Sequence, residues 1–134
     1  MKLEHIAIWS HQIEALKTFY ECYFGATANE KYISDKDFKG MFESYFLSFE
    51  SGARLEIMSL TGIPQGDNAH GHETTGLTHL AFSVHTPDEL DKLYHRLKQD
   101  GVVIVGEPRI TGDGYYETCV LDPDGNRVEI TVTP

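Results

Sequence analysis

The sequence is short of basic residues. Of its 134 residues, 11 are Lys or Arg and 21 are Asp or Glu, so the formal net charge is −10 at pH 7. Nucleic acid and anionic membrane surfaces are repelled by a field of this sign. We therefore expect no nucleic acid and no membrane as partner, and a strongly anionic substrate would need a local basic patch.

Long apolar runs and paired cysteines are also missing. The longest apolar stretches have only a few residues, too short to cross a bilayer. The first residues, MKLEHIAIWS, lack the apolar segment and cleavage site of a signal peptide, which favours a strand here and a cytoplasmic protein. Cys22 and Cys119 are far apart, so no disulfide framework is expected. The 40% hydrophobic content suffices for one compact domain with a core.

Two short motifs occur twice along the chain. The first has the form Leu-x-His-aliphatic-Ala-apolar, and the second contains Arg-aliphatic-Glu-Ile. Their copies are LEHIAIW at 3–9 and LTHLAFS at 77–83, then ARLEIM at 53–58 and NRVEIT at 126–131. The two histidines are 74 positions apart and the two glutamates 73, and this recurrence in the same order indicates an internal duplication.

Each copy also predicts the same order of strands and helices. A strand with the His is followed by an amphipathic helix that ends at Gly25 or Gly101, and then by three strands. The later strands are predicted at about 26–33, 43–50 and 53–60, and at about 102–110, 114–121 and 127–133. We therefore expect an α+β fold of two β-α-β-β-β modules. It forms a single domain over 1–134, with repeats at about 1–60 and 77–134 and a polar linker at 61–76.

Strand alternation places four polar residues on matching faces. In every motif the large aliphatic residues occupy one strand face and the His or Glu occupies the other. Two imidazoles and two carboxylates brought together are costly to desolvate unless a cation pairs them. The pattern therefore predicts one divalent metal ion held by His5, Glu56, His79 and Glu129. The other histidines, including His70 and His72 in the linker, do not recur in this way.

With these motifs the chain resembles the vicinal oxygen chelate superfamily, and within it the glyoxalase I-like members of the glyoxalase/bleomycin resistance protein family. The resemblance covers nearly the whole chain and rests on LEHIAIW, ARLEIM, THLAFSV and the closing DPDGNRVEI. It implies a curved eight-stranded sheet with a metal-binding cleft. It also implies a His, Glu, His, Glu ligand set, which matches the four residues above.

The resemblance further implies a lactoylglutathione lyase-like enzyme, a lyase or isomerase. Its substrate would be the hemithioacetal of a 2-oxoaldehyde and a thiol, a small molecule with adjacent oxygens, and it would act through a metal-stabilised enediolate. The proton-transferring base would be Glu129, with Glu56 second. The cofactor would be one divalent ion, Zn or Ni first, with Co, Mn or Fe as alternatives. We expect a homodimer, with the cleft completed either within one chain or between two chains.

Two departures from the glyoxalase I pattern concern the substrate. Trp9 and Leu60 stand where short bacterial glyoxalase I has an arginine and an asparagine that contact glutathione. Trp9 favours an apolar or aromatic part of a substrate instead. Tyr115 and Tyr116 either line the cleft or only pack. The alternatives are another vicinal oxygen chelate enzyme, an epimerase or a dioxygenase, or a drug-binding resistance protein that uses the same cleft.

Overall fold

The computed structural model describes residues 1–67 and 73–133. The predicted linker falls partly outside this range, and both of its histidines, His70 and His72, lie outside the described residues. None of the helices in the described ranges is long and apolar enough to cross a membrane.

The chain divides into two compact units, Met1–Asp67 and Asn68–Pro134. The first unit forms a sheet in the order β1-β5-β4-β2, with β3 also paired to β4, and one helix. Strands β1 and β5 run parallel, and the other pairs are antiparallel. Its elements are β1 (His5–Trp9), α1 (Ile13–Phe24), β2 (Thr27–Ala28), β3 (Tyr32–Ser34), β4 (Phe42–Ser48) and β5 (Arg54–Leu60).

The second unit repeats this arrangement with one strand fewer. Its sheet has the order β6-β9-β8-β7, with β6 and β9 parallel. Its elements are β6 (His79–Ser83), α2 (Pro87–Gln99), β7 (Ile104–Ile110), β8 (Tyr116–Leu121) and β9 (Arg127–Val132). The predicted α+β class and the two β-α-β-β-β modules are therefore confirmed.

The extra strand in the first unit arises at Asn29. The sequence predicts one continuous strand at 26–33, but it is divided into β2 and β3. The side-chain oxygen of Asn29 accepts a hydrogen bond from the backbone N–H of Phe46 at 2.8 Å. A side chain thus takes a donor that a neighbouring strand would otherwise use, and the ladder is interrupted there.

In each unit the helix covers one face of its own sheet. Leu16 of α1 is fully buried, as are Leu47 and Ile57 of the sheet. The second unit buries Leu90, Leu97, Val128 and Ile130 in the same manner. Each such side chain contributes on the order of 2 kcal/mol when removed from water. This burial fixes which face of each strand is turned away from the helix, and that face carries the predicted ligands.

The ends of the second helix and the last turn follow from local sequence. Thr86 caps α2 by accepting a hydrogen bond from the N–H of Glu89 at 3.2 Å, and Pro87 begins the helix. Between β8 and β9, one carboxylate oxygen of Asp122 accepts from the N–H groups of Asp124 and Asn126, both at 2.9 Å. This turn sets the register of β9 against β8, and hence the position of Glu129.

Candidate metal and substrate site

The first unit brings His5 and Glu56 together on one sheet face. Strands β1 and β5 pair in parallel with Ala7 opposite Glu56. The small side chain of Ala7 leaves room for the carboxylate to turn toward the imidazole. Nε2 of His5 lies 3.6 Å from Oε2 of Glu56, and the side chains are 39% and 15% exposed.

The second unit repeats the pair at the same register. Ala81 lies opposite Glu129 on the parallel strands β6 and β9. Nε2 of His79 lies 3.5 Å from Oε2 of Glu129, with side-chain exposures of 40% and 19%. The two pairs therefore lie on corresponding strands of the two units, on the same strand face, and with nearly the same distance between the imidazole nitrogen and the carboxylate oxygen.

The separation within each pair suits two ligands of one cation. It exceeds the length of a good N–H···O hydrogen bond. Two donor atoms that each lie ~2.1 Å from a tetrahedral cation are roughly 3.4 Å apart. Within either unit, the described residues contain no group of three or more His, Cys, Asp or Glu side chains that could hold a metal ion. Each unit contains one imidazole and one carboxylate, donor types that suit Zn, Ni and similar divalent ions.

His5 has a second carboxylate partner, which the sequence motifs did not reveal. A carboxylate oxygen of Glu4 accepts from Nδ1 of His5, and Nε of Arg54 donates to Glu4 at 2.8 Å. The hydrogen bond from His5 and the one from Arg54 lower the pKa of Glu4. A proton held on Nδ1 leaves the Nε2 lone pair free toward Glu56, which is the tautomer a metal needs.

Glu129 lies in a different environment. Burial raises the pKa of its carboxyl group, the negative charge of Glu117 raises it further, and His79 and Arg109 oppose this shift. Glu117 lies on the same sheet face, because it pairs with Thr131 across β8 and β9, and it forms an ion pair with Arg109 at 3.1 Å. In the absence of a cation, a raised pKa makes this carboxylate a better proton acceptor than an ordinary surface glutamate. Glu117 is outside both repeated motifs, so the sequence alone did not point to it.

The three predicted substrate residues have different surroundings. Trp9 lies on the face of β1 that carries His5, opposite Met58, and is 43% exposed. Tyr115 is half-buried in the turn before β8, where its N–H donates to the Thr111 hydroxyl at 3.1 Å.

Tyr116 does not face Glu129. It pairs with Val132 on the helix-covered face of the sheet, and its hydroxyl donates to Oδ1 of Asp91 on α2 at 2.6 Å. The sequence left open whether Tyr116 lines the site or only packs, and strand alternation turns it toward the helix, where it packs.

Comparison with protein families then decides the family. Residues 2–130 match the Glyoxalase/Bleomycin resistance protein/Dioxygenase superfamily. The chain belongs to this family. Its name covers enzymes and resistance proteins alike, so membership leaves the reaction open. Comparison with curated proteins gives no significant match.

Solved structures of this superfamily share the fold. Glyoxalase I of Leishmania major, described as trypanothione-dependent, is 20% identical, with 97% of this chain and 85% of that chain covered and a TM-score of 0.73. Lactoylglutathione lyase of Agrobacterium tumefaciens is 19% identical, with 97% and 92% covered and a TM-score of 0.66. A glyoxalase/bleomycin resistance/dioxygenase domain from Frankia sp. EAN1pec is 16% identical, with 100% and 98% covered and a TM-score of 0.80. Identities this low show likeness of fold alone.

Proposed function

We propose that this chain is a metal-dependent, glyoxalase I-like lyase or isomerase. Its substrate is the hemithioacetal formed from a 2-oxoaldehyde and a thiol. The observation that carries the proposal is the repeated His–Glu pair, at 3.6 Å in one unit and 3.5 Å in the other, on the same strand register. Glyoxalase I and lactoylglutathione lyase are among the solved structures that share this fold, so the fold is compatible with this reaction.

The metal centre in this proposal combines both pairs. His5, Glu56, His79 and Glu129 hold one divalent ion, Zn or Ni first, with Co, Mn or Fe as alternatives. The two pairs meet either within one chain or between the two chains of a homodimer, and the protein acts in the cytoplasm. When bound, the cation supplies Lewis-acid stabilisation of negative charge on two adjacent substrate oxygens.

The residues around the metal centre have separate roles in this proposal. Glu129 takes the proton from one substrate carbon through its Oε atoms and returns it to the neighbouring carbon. The hydroxyl proton of the substrate passes to the former carbonyl oxygen, so the reaction is an isomerisation without a further reactant. Glu56 is the second candidate for this role. Glu4 holds the proton on Nδ1 of His5 and so orients its ring. Trp9 and Tyr115 contact the substrate.

The test begins with metal analysis of the purified protein. We expect bound divalent metal in the wild type and a large loss of metal in a His5→Ala, Glu129→Ala double variant. His95→Ala is the matched control, because His95 lies with its ring against Tyr94 on α2, the helix that covers the sheet face opposite to His79 and Glu129. Metal content that is absent in the wild type, or unchanged in the double variant, would overturn the metal site.

The reaction is tested separately on metal-loaded protein. We expect turnover of methylglyoxal with a panel of thiols that includes glutathione, and abolition of this turnover by a chelator. Bound metal without turnover of any thiol adduct would leave the metal site standing and exclude the proposed reaction. Sedimentation of the same sample tests the homodimer.

A further inference from the structure

Four aromatic side chains form a patch on the face of the first unit that carries His5 and Glu56. Trp9, Phe38 and Phe42 contact one another with ring centroids 4.9 to 6.1 Å apart, and Tyr32 lies 6.1 Å from Phe42. Phe42 is buried, whereas the other three are 43% to 50% exposed. The aromatic patch is therefore a supported apolar surface with three rings open to a ligand.

The patch adjoins the His–Glu pair through strand register. Trp9 is on the same strand face as His5, and its partner Met58 is two residues from Glu56 on β5. Phe46, opposite Glu56 on β4, packs edge-on against the His5 ring at 5.3 Å. The apolar surface thus begins at the candidate metal ligands and continues away from them along the sheet.

The loop that supplies Phe38 is held in place at both ends. Near its start the Tyr32 hydroxyl donates to the Asp37 carboxylate at 2.7 Å, and at its end the N–H of Thr61 donates to the carbonyl of Met41 at 3.1 Å. Gly40 has a φ of 122°, and an added Cβ would come within 3.3 Å of Thr61, so a larger residue is disfavoured there. The patch is preorganised, which lowers the entropic cost of binding a ligand.

The charges of this loop cancel. Residues 35–41 read DKDFKGM, with two acidic and two basic side chains. The patch therefore selects a ligand by apolar contact rather than by charge, unlike a pocket for an anionic peptide thiol. The second unit has Ser83 where the first has Trp9, at the same distance along the strand from the histidine, so the aromatic surface is not a general product of the repeated fold.

We infer that the substrate carries an aromatic or bulky apolar group next to its two adjacent oxygens, and that this group packs on the aromatic patch. The inference rests on the proposed function, because the oxygens are placed by the metal ligands. It narrows the substrate to hemithioacetals that a thiol forms with aryl or long-chain 2-oxoaldehydes, or to similar chelating compounds.

The test compares two chelating probes, benzohydroxamate and acetohydroxamate, which differ only in a phenyl or methyl group beside the same pair of oxygens. Binding to metal-loaded protein is measured by calorimetry. We expect benzohydroxamate to bind at least tenfold more tightly in the wild type. Because Trp9 is the only tryptophan of the chain, its fluorescence should also change with benzohydroxamate and much less with acetohydroxamate.

Variants separate the patch from the metal site. Trp9→Ser introduces the residue that the second unit has at the matching position, Ser83. This variant should reduce the preference for benzohydroxamate over acetohydroxamate to about threefold or less, and its metal content should be unchanged. Phe38→Ser, in the loop, provides the same test if Trp9→Ser does not fold. Val105→Ser is the control, an exposed apolar residue on β7, and should keep the full preference.

The outcomes distinguish this inference from the proposed function. Bound metal with equal affinity for both probes would overturn the aromatic substrate and leave the metal site intact. No bound metal and no binding of either probe would overturn both. If Trp9→Ser instead converts a dimer to a monomer in sedimentation and leaves the probe preference unchanged, the patch is an interface between copies of the chain and the inference is wrong.

Discussion

The two units have the same geometry in their His–Glu pairs, but the residues around the two pairs differ. The alanine opposite each glutamate, the parallel strand pair and the separation near 3.5 Å recur in both. The neighbours on the same sheet face are aromatic or apolar in the first unit and small or polar in the second. At matching positions in the strand register, the first unit has Trp9, Met58 and Phe46, and the second unit has Ser83, Thr131 and Cys119, in that order.

This difference indicates how a duplicated module can acquire two tasks. The first unit combines its His–Glu pair with an apolar surface and with the Glu4 carboxylate, which is bonded to the histidine. The second combines its pair with charged and hydroxyl groups, including Glu117 and a buried Thr131 hydroxyl that has no hydrogen-bond partner among the described residues. Under the proposed function, the first unit positions the substrate and the second moves its proton.

The largest expected effect separates the two glutamates. Glu129→Gln should lower kcat by about 10² to 10⁴, because the proton-accepting carboxylate is lost. Glu56→Gln should lower kcat less, because Glu129 is the proposed proton acceptor and Ser44 stands opposite Met58 where Glu117 stands opposite Thr131. The measurement is kcat with the best thiol adduct, corrected for the metal content of each variant. Equal losses would remove the distinction between the units.

A second comparison concerns the carboxylate behind each histidine. Glu4→Gln should weaken metal binding by about 10- to 100-fold, because Nδ1 of His5 loses a charged acceptor. Thr78 occupies the same place before His79, and Thr78→Val should change the affinity by less than about threefold. Competition with a metal indicator gives both affinities, and nitrogen chemical shifts report the tautomer of His5. An unchanged affinity and tautomer in Glu4→Gln would show that Glu4 is only a surface partner of Arg54.

The smallest effect tests the attachment of each helix. The Tyr45 hydroxyl donates to Glu14 on α1 at 3.0 Å, and the Tyr116 hydroxyl donates to Asp91 on α2 at 2.6 Å. Tyr45→Phe and Tyr116→Phe should each lower the free energy of unfolding by about 1 kcal/mol and leave metal affinity and kcat unchanged. Urea unfolding gives the first quantity. A fall in kcat for Tyr116→Phe without loss of stability would return Tyr116 to the substrate site.

Features that depend on near neighbours in the chain can be predicted from the sequence. The stop of α1 at Gly25 was predicted in this way, and the Thr86-Pro87 start of α2 and the turn after Asp122 follow from the same kind of local backbone preference. Features that depend on distant partners were not. The interruption at Asn29 needs the N–H of Phe46, and the hydrogen bond of the Tyr116 hydroxyl needs Asp91 on α2.

The sequence by itself determined which residues are predicted to form the site. Motif spacing and strand parity were enough to select His5, Glu56, His79 and Glu129, because side chains alternate with a period of two residues whatever the strand packs against. Only the tertiary structure decided what stands beside them. Parallel pairing placed an alanine opposite each glutamate, and side chains from β1, β3, β4 and the loop at 35–41 formed the aromatic patch. Such contacts join residues far apart in the chain, so they depend on register and packing rather than on local pattern.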